Sequence, residues 1–259
     1  MLLTAGNASI RIDPSRGGRV STFAVSDLDL IVSEDPDSLN WGCYPMVPWA
    51  GRVRDGRFLW KNRSVQLPVR VPPHAIHGTV LDRAWRATAG GSGLEVSLGH
   101  EWPWGGTVRS EFRMTEGRFD WELTVSADEQ PMPSMLGWHP WFRKRLADGS
   151  RATLEFQADS MYPRDASGIP TGARNRPPPG PWDDCFTGVG SPPRIRWSNG
   201  LVLEVSSTCD HWVIYDQPEH ALCIEPQSGP PNVFNQGTSD VVRPSRPLVH
   251  AMTWRWWRQ

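Results

Sequence analysis

Glycine and proline punctuate this chain from end to end. The 24 glycines and 25 prolines in 259 residues leave few uninterrupted stretches in which a long helix can form. Between them lie short segments that alternate apolar and polar side chains with a period of two, the pattern of strands with one buried face. The clearest places Val108, Ser110, Phe112 and Met114 against Arg109, Glu111 and Arg113, passes Glu116-Gly117, and continues with Phe119, Trp121, Leu123 and Val125 against Asp120, Glu122 and Thr124. That pattern predicts a hairpin. A second is predicted from Trp85, Ala87 and Ala89, a turn at Gly90-Gly91-Ser92-Gly93, then Leu94, Val96 and Leu98. Further short strands are expected within 10–12, 19–24, 153–156, 201–205, 212–215, 221–224 and 249–256. No helical apolar stripe exceeds about three turns. The fold expected is all-β, a large antiparallel β-sandwich with residues 1–259 forming one domain. The stretch from Pro163 to Pro181 reads as a long surface loop rather than a linker, because strand-like patterns of one kind flank it.

Composition narrows the functional classes. Hydrophobic residues make up 38% of the chain and charged residues 21%, enough apolar side chain for a core and too balanced for disorder. The net charge of −1 is spread without long blocks of one sign, which argues against a nucleic-acid partner, since phosphate binding needs a concentrated basic face. The arginines between Arg52 and Arg70 come closest, but they interleave with apolar residues. Cys43, Cys185, Cys209 and Cys223 show no CxxC spacing, and the N-terminal residues lack a basic segment followed by an apolar run. A cytoplasmic protein with free thiols is expected. No apolar run approaches the roughly 20 residues that span a bilayer, so no membrane role is expected.

Several site signatures are missing: GxSxG, a Walker-type phosphate loop, GxGxxG after a strand, and HExxH. His74 and His77 have a spacing that can serve zinc, but no second pair completes four ligands, so no metal is expected. What remains is a set of polar residues in aromatic, glycine- and proline-rich contexts: Arg52 in PWAGRVRDGRF, His77 in HAIHGTVLDRAW, His139 in LGWHPWF, Asp183 in PWDDCF and Glu225 in CIEPQSGPPNVFN. Carbohydrate sites use this mixture, because sugar C–H faces pack on aromatic rings while hydroxyls need directional partners. Each residue also has an ordinary structural use. A lone histidine beside proline and tryptophan is commonly a hydrogen-bonded framework residue, and Arg52 with Asp183 could be a plain ion pair. Glu225 stands out, since a carboxylate at the end of the apolar strand ALCI needs a partner or a purpose.

Taken in order, YPMVPWAGRVRDGRF, HAIHGTVLDRAW, MLGWHPWFR, GIPTG with WDDCF, and CIEPQSGPPNVFN resemble five segments of the aldose 1-epimerase (galactose mutarotase) family. They span roughly residues 44 to 235. The resemblance implies a galactose mutarotase-like supersandwich with its site in a groove on the concave face. It implies Glu225 as general base and His139 as general acid, facing one another across a sugar-sized cleft, with His77, Arg52 and Asp183 orienting a small-molecule sugar. No metal, nucleotide or other cofactor is required for that chemistry. Gly51 stands where many relatives carry Asn before the arginine, and Pro226 follows the glutamate. An ordinary Glu is ionised at neutral pH and an ordinary His partly protonated, so modest tuning suffices on this reading, and a nearby carboxylate is expected to help keep His139 charged. Three alternatives remain. One is a non-catalytic sugar binder on the same scaffold, and a second is a mutarotase for a 6-phosphorylated hexose clamped by Arg54, Arg57 or Arg143. The third is a glycosidase using Asp183 with Glu225.

Overall fold

A computed structural model describes all residues from Met1 to Gln259. Strand accounts for 51% of them and helix for 3%, the one α-helix being the single turn Val233–Gln236. The larger sheet runs, edge to edge, through Leu2–Ala5, Ala8–Asp13, Arg19–Val25, Cys43–Met46, Gly137–Arg143, Ala221–Gln227, His211–Tyr215, Asp183–Thr187 and Ser160–Tyr162, with Leu28–Asp29 added beside Arg19–Val25. The second sheet has eight strands, in the order Arg86–Ala87, Gly93–Ser97, Thr107–Thr115, Arg118–Ser126, Leu248–Arg258, Leu201–Ser207, Arg194–Trp197 and Ala152–Glu155. Every strand pair is antiparallel in both sheets.

The alternating patterns become strands as expected. Thr107–Thr115 pairs with Arg118–Ser126 around Glu116-Gly117, with Val108 opposite Val125 and Phe112 opposite Trp121; Gly117 takes a left-handed φ of 69°. The second hairpin is shorter than its pattern. Only Arg86–Ala87 pairs with Gly93–Ser97 on that side, and Ala87 and Ala89 are exposed, because this is a sheet edge where small side chains have nothing to pack against. Two strands central to the larger sheet were not in the expected set. Cys43–Met46 and Gly137–Arg143 are buried almost throughout, so they show no alternation, and Pro45 and Pro140 break the usual strand composition. The stretch from Pro163 to Pro181 connects Ser160–Tyr162 to Asp183–Thr187, which are neighbours in the larger sheet; it is a loop.

The two sheets share one continuous core of 63 buried hydrophobic residues. An aromatic seam joins them. Trp254 of the second sheet lies 5.3 Å, ring centre to ring centre, from both Phe23 and Phe142 of the larger sheet and 5.4 Å from Phe119 beside it. Trp121 meets Trp138 across the same gap. These spacings lie in the range in which aromatic pairs attract beyond simple burial. Trp254→Ala should therefore lower unfolding stability by about 3–5 kcal/mol, read as a shifted urea midpoint. Trp254→Phe should cost clearly less, since the buried indole Nε1–H has no partner to lose.

Candidate active site

Side chains alternate across the larger sheet, and the site is built on the face turned away from the aromatic seam. On Gly137–Arg143, Trp138 and Phe142 point into the seam, so His139 and Trp141 point to the opposite side. The neighbouring strand Ala221–Gln227 pairs with Gly137 opposite Gln227 and Trp141 opposite Cys223. That register sets Glu225 beside His139. Across the next strand, Val213 pairs with Glu225 and Tyr215 with Cys223, and beyond it Asp183 pairs with Tyr215. On the other flank Tyr44 pairs with His139. These adjacent strands thus present two neighbouring rows on one face, Tyr44–His139–Glu225–Val213 and Trp141–Cys223–Tyr215–Asp183.

These residues floor a cavity of about 280 Å³. All five residues singled out in the sequence, Arg52, His77, His139, Asp183 and Glu225, line it. His139 Nε2 lies 3.3 Å from Glu225 Oε1. The two stand side by side on the floor rather than facing one another across a cleft, because adjacent strands carry them. The imidazole is held between two rings, stacked at 4.9 Å on Tyr44 and 5.3 Å on Trp141. Both flanking rings are pinned to one carbonyl: Leu39 O accepts from Tyr44 Oη at 3.0 Å and from Trp141 Nε1 at 2.8 Å.

The rest of the lining comes from loops and short ribbons. His77 adopts a left-handed φ of 57° and its Nδ1 accepts the Gly51 N–H at 3.2 Å. In the neutral ring this leaves the proton on Nε2, a donor. Gly51 is itself left-handed, and a Cβ there would lie 2.7 Å from Pro231. Pro231 therefore leaves no room for a side chain at position 51. Arg52 sits on the ribbon formed with Ala75–Ile76 and packs against the Gly168 backbone, where any side chain would meet its Nη1 at 3.3 Å. Arg52 has no ion pair and donates no hydrogen bond within the protein, so its donors are available to a ligand. It is not the partner of Asp183. Arg164 is: its Nη1 donates to Asp183 at 2.7 Å and its Nε to Asp184 at 3.0 Å. Arg164, Asp184, Tyr44 and Trp141 were not singled out in the sequence. Tyr44 and Trp141 lie within the quoted motifs, whereas Arg164 sits in the proline-rich loop with no local signal.

The arginines considered for a phosphate clamp are engaged elsewhere. Arg54 pairs with Asp165 at 2.6 Å, Arg57 donates to Gln66 at 2.5 Å, and Arg143 lies 3.8 Å from Asp29. None of them lines the cavity. His74 and His77 do not form a ligand pair, since each Nδ1 accepts a different backbone N–H, from Asp55 and from Gly51.

Residues 2–252 match the family described as Aldose 1-epimerase. The chain belongs to the aldose 1-epimerase family. Among curated proteins, a 150-residue stretch is 27% identical to the uncharacterised protein YphB of Escherichia coli K12, covering 54% of this chain and 51% of that protein; the match spans about half the length of that curated relative. Among solved structures, a galactose mutarotase-like protein from Clostridium acetobutylicum superposes with a TM-score of 0.86 at 16% identity, covering 100% of this chain and 95% of that one. The galactose 1-epimerase from Lactobacillus acidophilus NCFM gives 0.81 at 16%, covering 99% and 93%. At these identities the likeness is one of fold. No helix of this aldose 1-epimerase family member is long and apolar enough to cross a membrane.

Burial dominates the electrostatics of this family member's site. His139 and Glu225 are only 5% and 3% exposed. Burial pushes His139 down to about 3 and Glu225 well above the usual carboxylate range, with Asp183 adding to the rise and Arg52 opposing it. The expectations of modest tuning and of a carboxylate that keeps His139 charged are therefore not met. Desolvation resists charge on both groups more strongly than their proximity favours it. Asp183 is raised by burial as well, held back by Arg164 and Arg52. His77 is lowered by burial, then by His139 and Arg52.

A histidine lowered on folding contributes stability that is complete above its unfolded value near 6.5. That stability is lost as pH falls toward the folded value, because the unfolded chain takes up the proton first. Between about pH 7 and pH 5 the wild type should therefore lose stability more steeply than His77→Asn, which keeps an acceptor for the Gly51 N–H and tolerates the left-handed backbone. The difference should reach at most about 1.4 kcal/mol per pH unit, read from urea midpoints. Equal slopes would show that His77 titrates as an exposed histidine does.

Proposed function

We propose that this protein is a mutarotase that interconverts the α and β anomers of a free, unphosphorylated aldose, with Glu225 as base and His139 as acid. The observation that carries this reading is the 3.3 Å pairing of His139 with Glu225 on the floor of a ligand-sized cavity. Anomer exchange removes the proton from the C1 hydroxyl and delivers one to the ring oxygen, so the C1–O5 bond breaks and an aldehyde is released to rotate. In the opening step Glu225 takes the first proton and His139 gives the second. Closure returns them by the reverse path. No proton is gained or lost over the cycle.

The burial of the pair has a direct role in this scheme. Its charged form, carboxylate beside imidazolium, opens the ring; its neutral form, carboxylic acid beside imidazole, is what that step leaves. A site that resists charge favours the neutral pair both before and after ring opening, so forming the charged pair is part of the barrier to the opening step. Arg52 opposes the rise in Glu225 and keeps the charged form within reach. Arg52, the Nε2–H of His77 and the carboxylate of Asp183 supply the directional contacts a sugar's hydroxyls need, while Trp141 and Tyr215 offer apolar ring surface. The free sugar is favoured over the phosphorylated one because Arg54, Arg57 and Arg143 lie outside the cavity.

Polarimetry of freshly dissolved α-hexoses, run beside their 6-phosphates, tests this reading. Glu225→Gln should lower the catalysed rate by about 10²–10⁴-fold, the usual contribution of one positioned acid or base, with an unchanged melting temperature. A Glu225→Gln protein with full activity would remove Glu225 from the mechanism. Binding of sugar with no rate above the blank would favour the non-catalytic binder.

A further inference from the structure

Cys223 takes no part in the proton transfers described above, yet it sits beside the groups that carry them. It is a free, fully buried thiol, two residues before Glu225 on the same face of the strand and opposite Trp141. Its Sγ, an imidazole nitrogen of His139 and a Glu225 carboxylate oxygen all lie within 4.8 Å of one another. A thiolate, an imidazole nitrogen and a carboxylate are a donor set that suits a borderline-soft divalent cation such as zinc. With bonds of about 2.0–2.2 Å to nitrogen and oxygen, the edge of a tetrahedral site is about 3.3–3.6 Å. The observed Nε2 to Oε1 distance of 3.3 Å already matches it, and the sulfur needs a shift of only about an ångström. His139 and Glu225 line the cavity, so a fourth position opens to water, as in zinc sites with three protein ligands.

We propose that His139, Cys223 and Glu225 form a binding site for a zinc-class divalent cation, and that occupation of this site and mutarotation exclude each other. The first half stands on the side-chain geometry alone; the second rests on the function proposed above. The site is built for loose occupancy. His139 Nδ1 is buried without a hydrogen-bond partner, whereas imidazoles that hold metal tightly donate that N–H to a carboxylate or carbonyl. Exchangeable binding fits an inhibitory ion better than a resident one. A scan for ligand spacing passes over the site, because its three donors come from two strands more than eighty residues apart.

The test uses the full chain, cleared of metal with a chelator and titrated with Co²⁺ as probe. A near-ultraviolet thiolate-to-cobalt charge-transfer band that Zn²⁺ abolishes is expected in the wild type. Cys223→Ser and Cys223→Ala should both lack the band. They should weaken Zn²⁺ binding by more than the roughly 10–100-fold that loss of an outer hydrogen-bond partner costs. In polarimetry Zn²⁺ should slow the wild type reversibly, while Cys223→Ser keeps the metal-free rate and resists the ion. Absence of the thiolate band in wild type, or equal Zn²⁺ affinity in wild type and both variants, would overturn the site. A band lost in both variants, in a protein that shows no mutarotation at all, supports the site and removes the function instead. Mutarotation indifferent to Zn²⁺ while the band is present overturns the inhibition.

Discussion

The pairing of Gly137–Arg143 with Ala221–Gln227 is the constraint on which the site depends. A β-ladder fixes which residues stand abreast to within one position, and a slip by one residue would turn every side chain to the opposite face. Here the register that puts Gly137 opposite Gln227 also puts Trp138 and Phe142 into the seam with the second sheet. A slip that separated His139 from Glu225 would drag polar groups into the core and apolar rings out of it. The same packing energy that stabilises the sandwich therefore holds His139 beside Glu225, at no separate cost in ordering. The rings of Tyr44 and Trp141 on either side of the imidazole, both tied to the Leu39 carbonyl, remove the remaining rotational freedom.

That arrangement also explains why the electrostatics differ from what isolated residues suggest. Strands buried on both faces can bring an acid and a base together only inside a poorly solvated environment, and such an environment penalises charge on each. Proximity and desolvation come as a package. A proton moving between two such neighbours changes their charges without changing the total. Surrounding charges then act as trims: Arg52 lowers Glu225, Asp183 raises it, and Arg164 holds Asp183 within reach of the carboxylate form.

How much of this was legible in the sequence followed from what local pattern can encode. The 107–126 hairpin was readable because one of its faces is wet, so polarity alternates. The strands bearing Tyr44 and His139 were not, since both faces are covered and each contains a proline. The candidate site residues stood out through aromatic and glycine-rich contexts and through a resemblance that runs in order along the chain, and the structure gathers them around one cavity. Their mutual placement was not legible. Whether His139 and Glu225 stand abreast or face each other is a matter of register between strands over eighty residues apart. The link of Arg164 to Asp183 and Asp184 is a long-range contact from a loop without periodicity. Gly51 stands out in the sequence only through the resemblance; the ring of Pro231 that leaves no room for a side chain there lies 180 positions away in the chain.

The division of labour between floor and rim bears on how such a protein can diverge. His139 and Glu225 stand on central strands of the larger sheet, whose other face packs on the second sheet, whereas Gly168 and Pro170 reach the cavity from a loop whose two ends rest on adjacent strands of the same sheet. Arg164 anchors that loop at its base by gripping Asp183 and Asp184, so the segment beyond it can lengthen, shorten or change composition without disturbing any ladder. The part of the cavity wall that the loop tip supplies is thereby free to drift, while the His139–Glu225 pair beneath it stays under the strict selection that a shared core imposes.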